Sequence, residues 1–261
     1  MMALALTGGK RRQTTIGLAL ALGLIAAYLV IHLLGIFAWA PSVLGLALLL
    51  PAILVQTWLS TGLFIVAHDA MHGSLAPGRP RLNRAIGTLC LALYAQLSYR
   101  QFLPKHLDHH RYPGSDRDPD FHAGPAAPWF TRFFGRYYSP WQMVRIAAVA
   151  GAYMWLGAAY LNILLFWALP SLLALGQLFA FGTWLPHRQS SEAFADRHNA
   201  RSASYGRFVS LLTCFHFGGY HHEHHLYPGV PWWALPRARR HSAASTRSAA
   251  CSTPPRVAIS D

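Results

Sequence analysis

Long apolar stretches separated by short polar segments dominate this 261-residue chain. No Lys, Arg, Asp or Glu occurs from Gln13 to Ala67. A membrane-spanning helix needs about 20 apolar residues, so this stretch is long enough for two. The pattern predicts one span from Thr14 to Ala40, a tight turn at Ala40-Pro41-Ser42, and a second span from Val43 to Ala67.

A second uncharged stretch runs from Ile146 to His187. The proline in Leu169-Pro170-Ser171 predicts that it also divides into two spans, giving four transmembrane helices in two hairpins. The segment Leu82 to Pro104 is apolar, but both of its flanks belong on the same side, so we interpret it as an interfacial or re-entrant helix. In Trp129 to Trp141 aromatic residues alternate with arginines, as is typical of a membrane-surface helix.

Composition supports a membrane location, because 53% of the residues are hydrophobic and only 12% are charged. We therefore expect an all-α integral membrane protein. The first apolar stretch is too long for a signal peptide of the usual kind. The three cysteines lie far apart, which indicates neither a disulfide framework nor a thiolate metal site.

The charges predict an orientation. All 22 Lys and Arg residues lie outside the two predicted hairpins, so the positive-inside rule places both termini and the middle segment in the cytoplasm. The net charge of +13 is then mainly a topological signal, and we expect no nucleic-acid partner. Residues 1–236 form the predicted membrane domain, and the Ser-, Ala- and Arg-rich residues 237–261 are expected to be a disordered basic tail.

Histidines carry the candidate chemistry. The motifs HDAMH, HLDHH and HHEHH place imidazoles at helical spacings of three and four, so they can leave one side of a helix. A further histidine ends the last predicted span. All of them fall at the cytoplasmic ends of the spans, and the nine candidate ligands are His68, His72, His106, His109, His110, His187, His221, His224 and His225.

Nine imidazoles exceed what one zinc ion takes, so they predict two metal ions. Imidazole suits iron, copper, zinc and nickel alike. A membrane site without thiolates is suited to activating O2 on an apolar substrate, which favours two Fe²⁺ ions. The zinc-protease motif His-Glu-x-x-His is absent.

Other polar residues near these motifs have weaker claims. Carboxylates often accept the spare N–H of a ligand histidine, although each of those here could equally be a solvated surface group. The run that begins at Asp116 lacks the glycine and glutamate of a calcium loop. His32 is expected to be a packing residue, and the possible supporting residues are Asp69, Asp108, Asp116, Asp118, His216, His222 and Glu223.

No flavin, nicotinamide or haem motif is present. An oxygen-activating centre would then receive electrons from a separate carrier that docks on the basic cytoplasmic face.

The three histidine motifs resemble those of the membrane fatty acid desaturase and hydroxylase superfamily, whose members use a di-iron centre and O2. The surrounding sequences HDAMHGSLAPGRPRLN, KHLDHHRYPGSDRDPDFH, FGTWLPHR and FHFGGYHHEHHLYPGVPWWALP are more narrowly similar to the bacterial β-carotene 4-ketolases. The resemblance extends from about Thr14 to Pro236.

This resemblance implies that the nine histidines bind two iron ions. It implies two hydroxylations at C4 of a β-ionone ring and loss of water, taking β-carotene through echinenone to canthaxanthin. The carotenoid would enter from the bilayer, the electron donor would be of ferredoxin type, and the location would be the bacterial inner membrane. The alternatives are a carotenoid hydroxylase, a fatty acid desaturase, a sterol-type oxidase and, from another class, a histidine-rich metal transporter.

Overall fold

The computed structural model describes residues 2–242, and every regular element in that range is helical. The helices are α1 (Met2–Thr7), α2 (Lys10–Ala38), α3 (Val43–Met71), α4 (Pro80–Ala95), α5 (Tyr99–Arg111), α6 (Ala126–Tyr137), α7 (Pro140–Trp155), α8 (Tyr160–His187), α9 (Arg207–Cys214), α10 (His221–Leu226) and α11 (residues 235–242).

Three helices in the described range are long and apolar enough to cross a membrane, namely α2, α3 and α8. The break between α2 and α3 lies at residues 39–42, as predicted, and Ser42 caps α3 by accepting a hydrogen bond from the Gly45 N–H. Leucines in the first half of α3, such as Leu46 and Leu50, are exposed. From Leu59 to Met71 all residues but Phe64 are buried, so the end of α3 forms the centre of the molecule.

The predicted division of the second apolar stretch at Leu169-Pro170-Ser171 is wrong. Residues Tyr160–His187 form one helix, and the break before it falls at residues 156–159, where Gly157 has a φ of 95°. Pro170 follows a π-helical turn at Leu164–Ala168, and Pro186 follows another at Ala180–Trp184. A proline lacks the N–H that would bond to the preceding turn, and its ring crowds that turn. The wider π turn before each proline leaves room for the ring, so the helix continues through both prolines.

The segment Leu82 to Pro104 forms two helices, α4 and α5, rather than one. α4 runs back along α3 and ends beside the middle of α8, where the Tyr94 carbonyl accepts hydrogen bonds from Ser171 Oγ and Trp167 Nε1. Gln96 then adopts a left-handed conformation with a φ of 54°, and α5 returns toward the histidines. The pair therefore has the form of a re-entrant hairpin, and the α8 side chains satisfy a carbonyl at its tip.

The predicted surface helix Trp129 to Trp141 is also divided. α6 ends at Tyr137, and α7 begins at Pro140. The first residues of the predicted tail, 237–242, are helical and follow directly from the membrane domain. The remainder of that tail, 243–261, lies outside the described residues.

Candidate metal centre

Four helices bring the nine predicted ligands to one place. His68 lies near the end of α3 and His72 follows its last residue, α5 carries three of the predicted ligands, α10 carries three, and His187 ends α8. The imidazoles form two groups, within each of which the potential ligand atoms lie within 4.8 Å of one another. Group 1 consists of His68, His72, His106, His110 and His224, and group 2 consists of His109, His187, His221 and His225.

The two H-x-x-H-H motifs contribute to the groups in a crossed manner. In α5 the first and last histidines, His106 and His110, belong to group 1, whereas His109 belongs to group 2. In α10 the first and last histidines belong to group 2, whereas His224 belongs to group 1. The first and last histidines of an H-x-x-H-H motif are four residues apart, so they point in nearly the same direction on a helix. The middle histidine directly precedes the last one and points about 100° away from it. Each helix thus supplies two rings to one group and one ring to the other.

The donor set fits a metal ion in each group. A neutral imidazole has one N–H and one lone pair. In group 2 the Nε2 atom of His221 lies 2.9 Å from Nε2 of His187 and 3.1 Å from Nε2 of His225. One ring proton can satisfy only one of these contacts, whereas a cation attracts all three lone pairs. Two imidazole nitrogens bound to one ion at right angles lie about 3 Å apart, similar to the separations found here.

Group 1 has the same character. Nε2 of His106 lies 2.7 Å from Nε2 of His72, and Nε2 of His224 lies 2.9 Å from Nε2 of His110. His72 and His110 are half-buried, while the other three rings of this group and all four rings of group 2 are buried. Group 1 is therefore the less covered of the two.

Asp118 supports group 2 by accepting a hydrogen bond from Nδ1 of His109 at 2.9 Å. This bond leaves the Nε2 lone pair of His109 directed into the group. Burial by itself would raise the pKa of Asp118, but attraction to His109 and hydrogen bonds from His109, Gly114 N and Asp120 N lower the pKa below its usual value. Asp118 is therefore a carboxylate that fixes the orientation of one imidazole.

The other predicted supporting residues contact different partners. Asp69 accepts from the Trp232 N–H, and Asp108 pairs with Arg111 at the surface. Asp116 is exposed. His216 and His222 lie outside both groups, with His216 near Ser210 and His222 bonded to Asp196 at 2.9 Å.

Glu223 forms an ion pair with Arg239 at 2.7 Å and accepts a hydrogen bond from Ser202. Burial raises the pKa of Glu223, but these donors outweigh burial and hold the pKa below its usual value. Arg239 lies in α11, so this pair holds α10 against the last helix. His32, expected to be a packing residue, is buried and hydrogen-bonded to Tyr153 outside both groups.

Asn199 is a supporting residue that the sequence interpretation missed. Its carbonyl accepts from Nδ1 of His187 at 2.7 Å, and its side-chain amide donates to the Pro113 carbonyl at 2.9 Å. Its φ of 45° lies in the left-handed region, which asparagine tolerates better than most residues. Because the contact to His187 is made by a backbone atom, no motif in the sequence indicates it.

Two adjoining cavities lie beside the histidines, and the smaller of them reaches the imidazoles. The smaller, of about 50 Å³, is lined by six of the nine imidazoles, drawn from both groups. The larger, of about 300 Å³, shares four lining side chains with the smaller, namely Phe64, Phe102, Phe133 and Leu178. Phe64 and Phe102 each precede a group 1 histidine by one helical turn, so an apolar wall directly adjoins the imidazoles.

The larger cavity opens sideways among apolar side chains. Four residues that line it, Phe134, Tyr138, Met143 and Leu172, are also exposed on the surface. They belong to α6, α7 and α8 and to the link between α6 and α7. An apolar molecule in the bilayer would thus meet an apolar opening that leads toward the histidines.

Comparison with known proteins agrees with this arrangement. The chain matches the family described as fatty acid desaturase over residues 44–144 and 128–251. It is 51% identical to a β-carotene ketolase of Paracoccus sp. (strain N81106 / MBIC 01143), covering 88% of this chain and 95% of the relative. It is 47% identical to a β-carotene ketolase of Paracoccus sp. (strain PC1), covering 89% and 96%. A zeaxanthin 4-ketolase of Chlamydomonas reinhardtii is 36% identical over 86% of this chain and 53% of the relative. These matches confirm the resemblance that the histidine motifs indicated.

Proposed function

Because the chain belongs to the fatty acid desaturase family, we propose that it is a β-carotene ketolase that oxidises the C4 methylene of a β-ionone ring to a ketone. The names of the two Paracoccus relatives support the carotenoid substrate and the ketone product. The geometry supports an oxidation that takes place beside the two histidine groups.

The observation that carries this proposal is the apolar space that leads from the surface to the imidazoles. About 300 Å³ is too little for a whole carotenoid, so one end of the substrate would enter while the remainder stays in lipid. A β-ionone ring that passes Phe64, Phe102, Phe133 and Leu178 would reach the smaller cavity and its histidines. The aromatic wall would exclude water and orient the ring.

Groups 1 and 2 would each hold one iron ion, through the nine histidines named above. When bound, the two ions would supply the activation of O2, which the side chains cannot perform. Asp118 and Asn199 would hold His109 and His187 in the orientation that ligation requires. Neither group contains a cysteine, whereas structural zinc sites usually do. The proposed oxidation with O2 also requires a redox-active metal, which favours iron over zinc.

The reaction balances as two hydroxylations at one carbon. In each, one oxygen atom of O2 enters a C–H bond, and the other leaves as water with two electrons and two protons supplied from outside. The geminal diol then loses water, and its carbon is left as a ketone. The electrons would come from an external donor, because the sequence contains no flavin or nicotinamide motif. The resemblance to the bacterial ketolases implies that this donor is of ferredoxin type.

We infer that the chain lies in a bacterial inner membrane with both termini and the histidines on the cytoplasmic side. The distribution of Lys and Arg supports this orientation. In this arrangement α7 provides a fourth crossing, with residues 39–42 and 156–159 at the outer surface.

Expression in cells that accumulate β-carotene tests the proposal directly. A ketone replaces two hydrogens by one oxygen, so each oxidised ring should gain about 14 mass units, whereas a hydroxyl adds about 16 and a new double bond removes about 2. Products with one and two ketone groups and a red shift in colour are expected, because each ketone extends the conjugated chain. Hydroxylated pigment alone would indicate a ring hydroxylase. Unchanged carotenoid together with altered membrane fatty acids would indicate a desaturase.

A further inference from the structure

The charged residues of this chain are distributed unevenly along the sequence. All nine acidic residues lie at positions 69, 108–120, 192–223 and 261, so residues 1–68, 70–107 and 224–260 contain none. The acid-free segments nevertheless carry many cations. Eight of these are Lys10, Arg11, Arg12, Arg79, Arg81, Arg84, Arg237 and Arg240, and all eight are exposed.

The fold brings together the segments that carry these cations. Gln13, at the start of α2, donates hydrogen bonds to the Ser74 carbonyl at 2.7 Å and to the Gly229 carbonyl at 3.2 Å. Arg237 of α11 donates to the Leu6 carbonyl of α1 at 3.4 Å. The start of α2, the segment before α4 and the C-terminal segment are therefore in contact. We call the surface formed by the eight cations the basic face.

The basic face adjoins the less covered end of the metal centre. Only six residues, 73–78, separate Arg79 from His72, and these residues form a tight connection in which Ser74 N and Ser74 Oγ both bond to the Asp69 carbonyl. His72 is one of the two half-buried rings of group 1, whereas all four rings of group 2 are buried. The rate of electron transfer falls steeply with distance, and the distance from the surface to the histidines is shorter on this side.

The surface over group 2 has a different character. Residues 188–201 contain Arg188, Arg197 and Arg201 together with Glu192 and Asp196. Near them, Asp108 pairs with Arg111, and exposed Asp116 lies beside Arg117. Charges of both signs largely cancel there, so this surface would attract a charged partner weakly.

We propose that an acidic, one-electron carrier protein docks on the basic face and reduces the metal centre through the His72 side of group 1. This inference rests on the proposed function, because only an O2-dependent oxidation requires the electrons. Complementary charge would speed the encounter and orient the carrier. Anionic lipid headgroups would also be attracted by these cations, but the proximity of a half-buried ligand ring favours the carrier.

Charge reversal tests the proposal in the full chain, loaded with iron and reconstituted in phosphatidylcholine vesicles that contain β-carotene. The test variant is Arg79→Glu/Arg81→Glu/Arg84→Glu. The matched control is Arg188→Glu/Arg197→Glu/Arg207→Glu, which changes the net charge equally at three exposed arginines away from the basic face. Ketone formation is measured with reduced plant-type ferredoxin, an acidic carrier, and separately with dithionite, a small reductant that needs no docking.

In the test variant the apparent KM for ferredoxin should rise roughly tenfold or more at low salt, and the difference from wild type should shrink as ionic strength increases. Its dithionite-driven rate and iron content should equal those of wild type, and the control variant should keep the wild-type KM. Equal KM values in both triple variants would overturn the proposal. The proposal would also be overturned if the KM for ferredoxin stayed unchanged while added phosphatidylglycerol altered the dithionite-driven rate in wild type but not in the test variant. The basic face would then bind lipid. Absence of ketone with either reductant in wild type would instead contradict the proposed function.

Discussion

His109 shows how a single side chain depends on its surroundings in this protein. It lies between His106 and His110 in the sequence, yet its ring belongs to the other histidine group. Its Nδ1–H is held by Asp118, whose other oxygen accepts the Gly114 N–H at 2.8 Å. The ring is thereby fixed from the side opposite the group, which is the arrangement that strengthens imidazole as a metal ligand.

Replacing Asp118 by Asn should weaken metal binding at group 2. The amide is nearly isosteric, but it can no longer accept from His109 with a full negative charge, and such changes typically cost about 10–100-fold in metal affinity or activity. The measurement is iron per chain after dialysis against a graded chelator, together with ketone formation. The matched control is Asp116→Asn, two residues earlier and exposed, which should behave as wild type. Equal iron retention by both variants would contradict the role given to Asp118.

At the scale of whole helices, α8 has three structural roles that its sequence does not predict. It is 28 residues long and contains Pro170 and Pro186, each preceded by a π-helical turn. Its middle bonds to the tip of the α4–α5 hairpin, its inner half lines both cavities through Leu178, and its last residue is His187. One continuous helix thus fixes the distance between the hairpin tip, the opening of the larger cavity and a histidine of group 2.

Leu178→Trp should block substrate access without disturbing the metals. Leu178 lines both cavities and is 7% exposed, so the larger indole would fill the passage between them. Carotenoid oxidation should fall at least about tenfold, a barrier increase of about 1.4 kcal/mol, while iron content stays unchanged. Leu173→Trp on the same helix is the control, because Leu173 is 44% exposed and does not line the cavity. Full activity in Leu178→Trp would show that the substrate takes another route.

The dimensions of the whole molecule explain why its helices differ in length. With 29 residues, α3 is about 43 Å long, whereas the apolar core of a bilayer is about 30 Å thick. In the proposed orientation its buried end, which carries His68, would extend beyond the core. With 16 residues, α7 is about 24 Å long, and it starts beside the hairpin tip, where Gln142 and Arg145 bond to the Ala95 and Gln96 carbonyls. In the proposed orientation α7 would need to cover only the remaining distance to residues 156–159.

Cysteine labelling in intact cells tests this topology. In a chain without its native cysteines, Ala159→Cys should react with a membrane-impermeant maleimide, because the proposed topology places residues 156–159 in an outer turn. Ser171→Cys should stay unlabelled, because Ser171 lies inside α8 beside the hairpin tip. Pro41→Cys, in the other outer turn, serves as the positive control. Labelling of Ser171→Cys but not Ala159→Cys would instead favour two separate helices divided at Pro170.

The sequence by itself determined that the protein is helical and apolar, where α2 and α3 begin and end to within a few residues, and which nine histidines converge. These features depend on hydrophobicity and on the spacing of residues within one helix, and both are local properties. The positions of the prolines are also visible, but their effect is not. Pro41 lies in a break between helices, whereas Pro170 lies in a continuous helix. Whether a helix continues through a proline depends on π turns and on neighbouring helices, which the sequence pattern does not reveal.

Only the tertiary structure decided how the histidines divide into two groups, which polar residues hold them, and where the apolar cavity opens at the surface. His109 and His224 each belong to a different group from the other two histidines of their motif. Asn199 supports His187 through a backbone carbonyl. Asp118 and Asp116 lie two residues apart in the same polar segment, yet Asp118 is buried against His109 and Asp116 is exposed. Such contacts join segments far apart in the chain, so they are set by packing between helices and not by the pattern along any one of them.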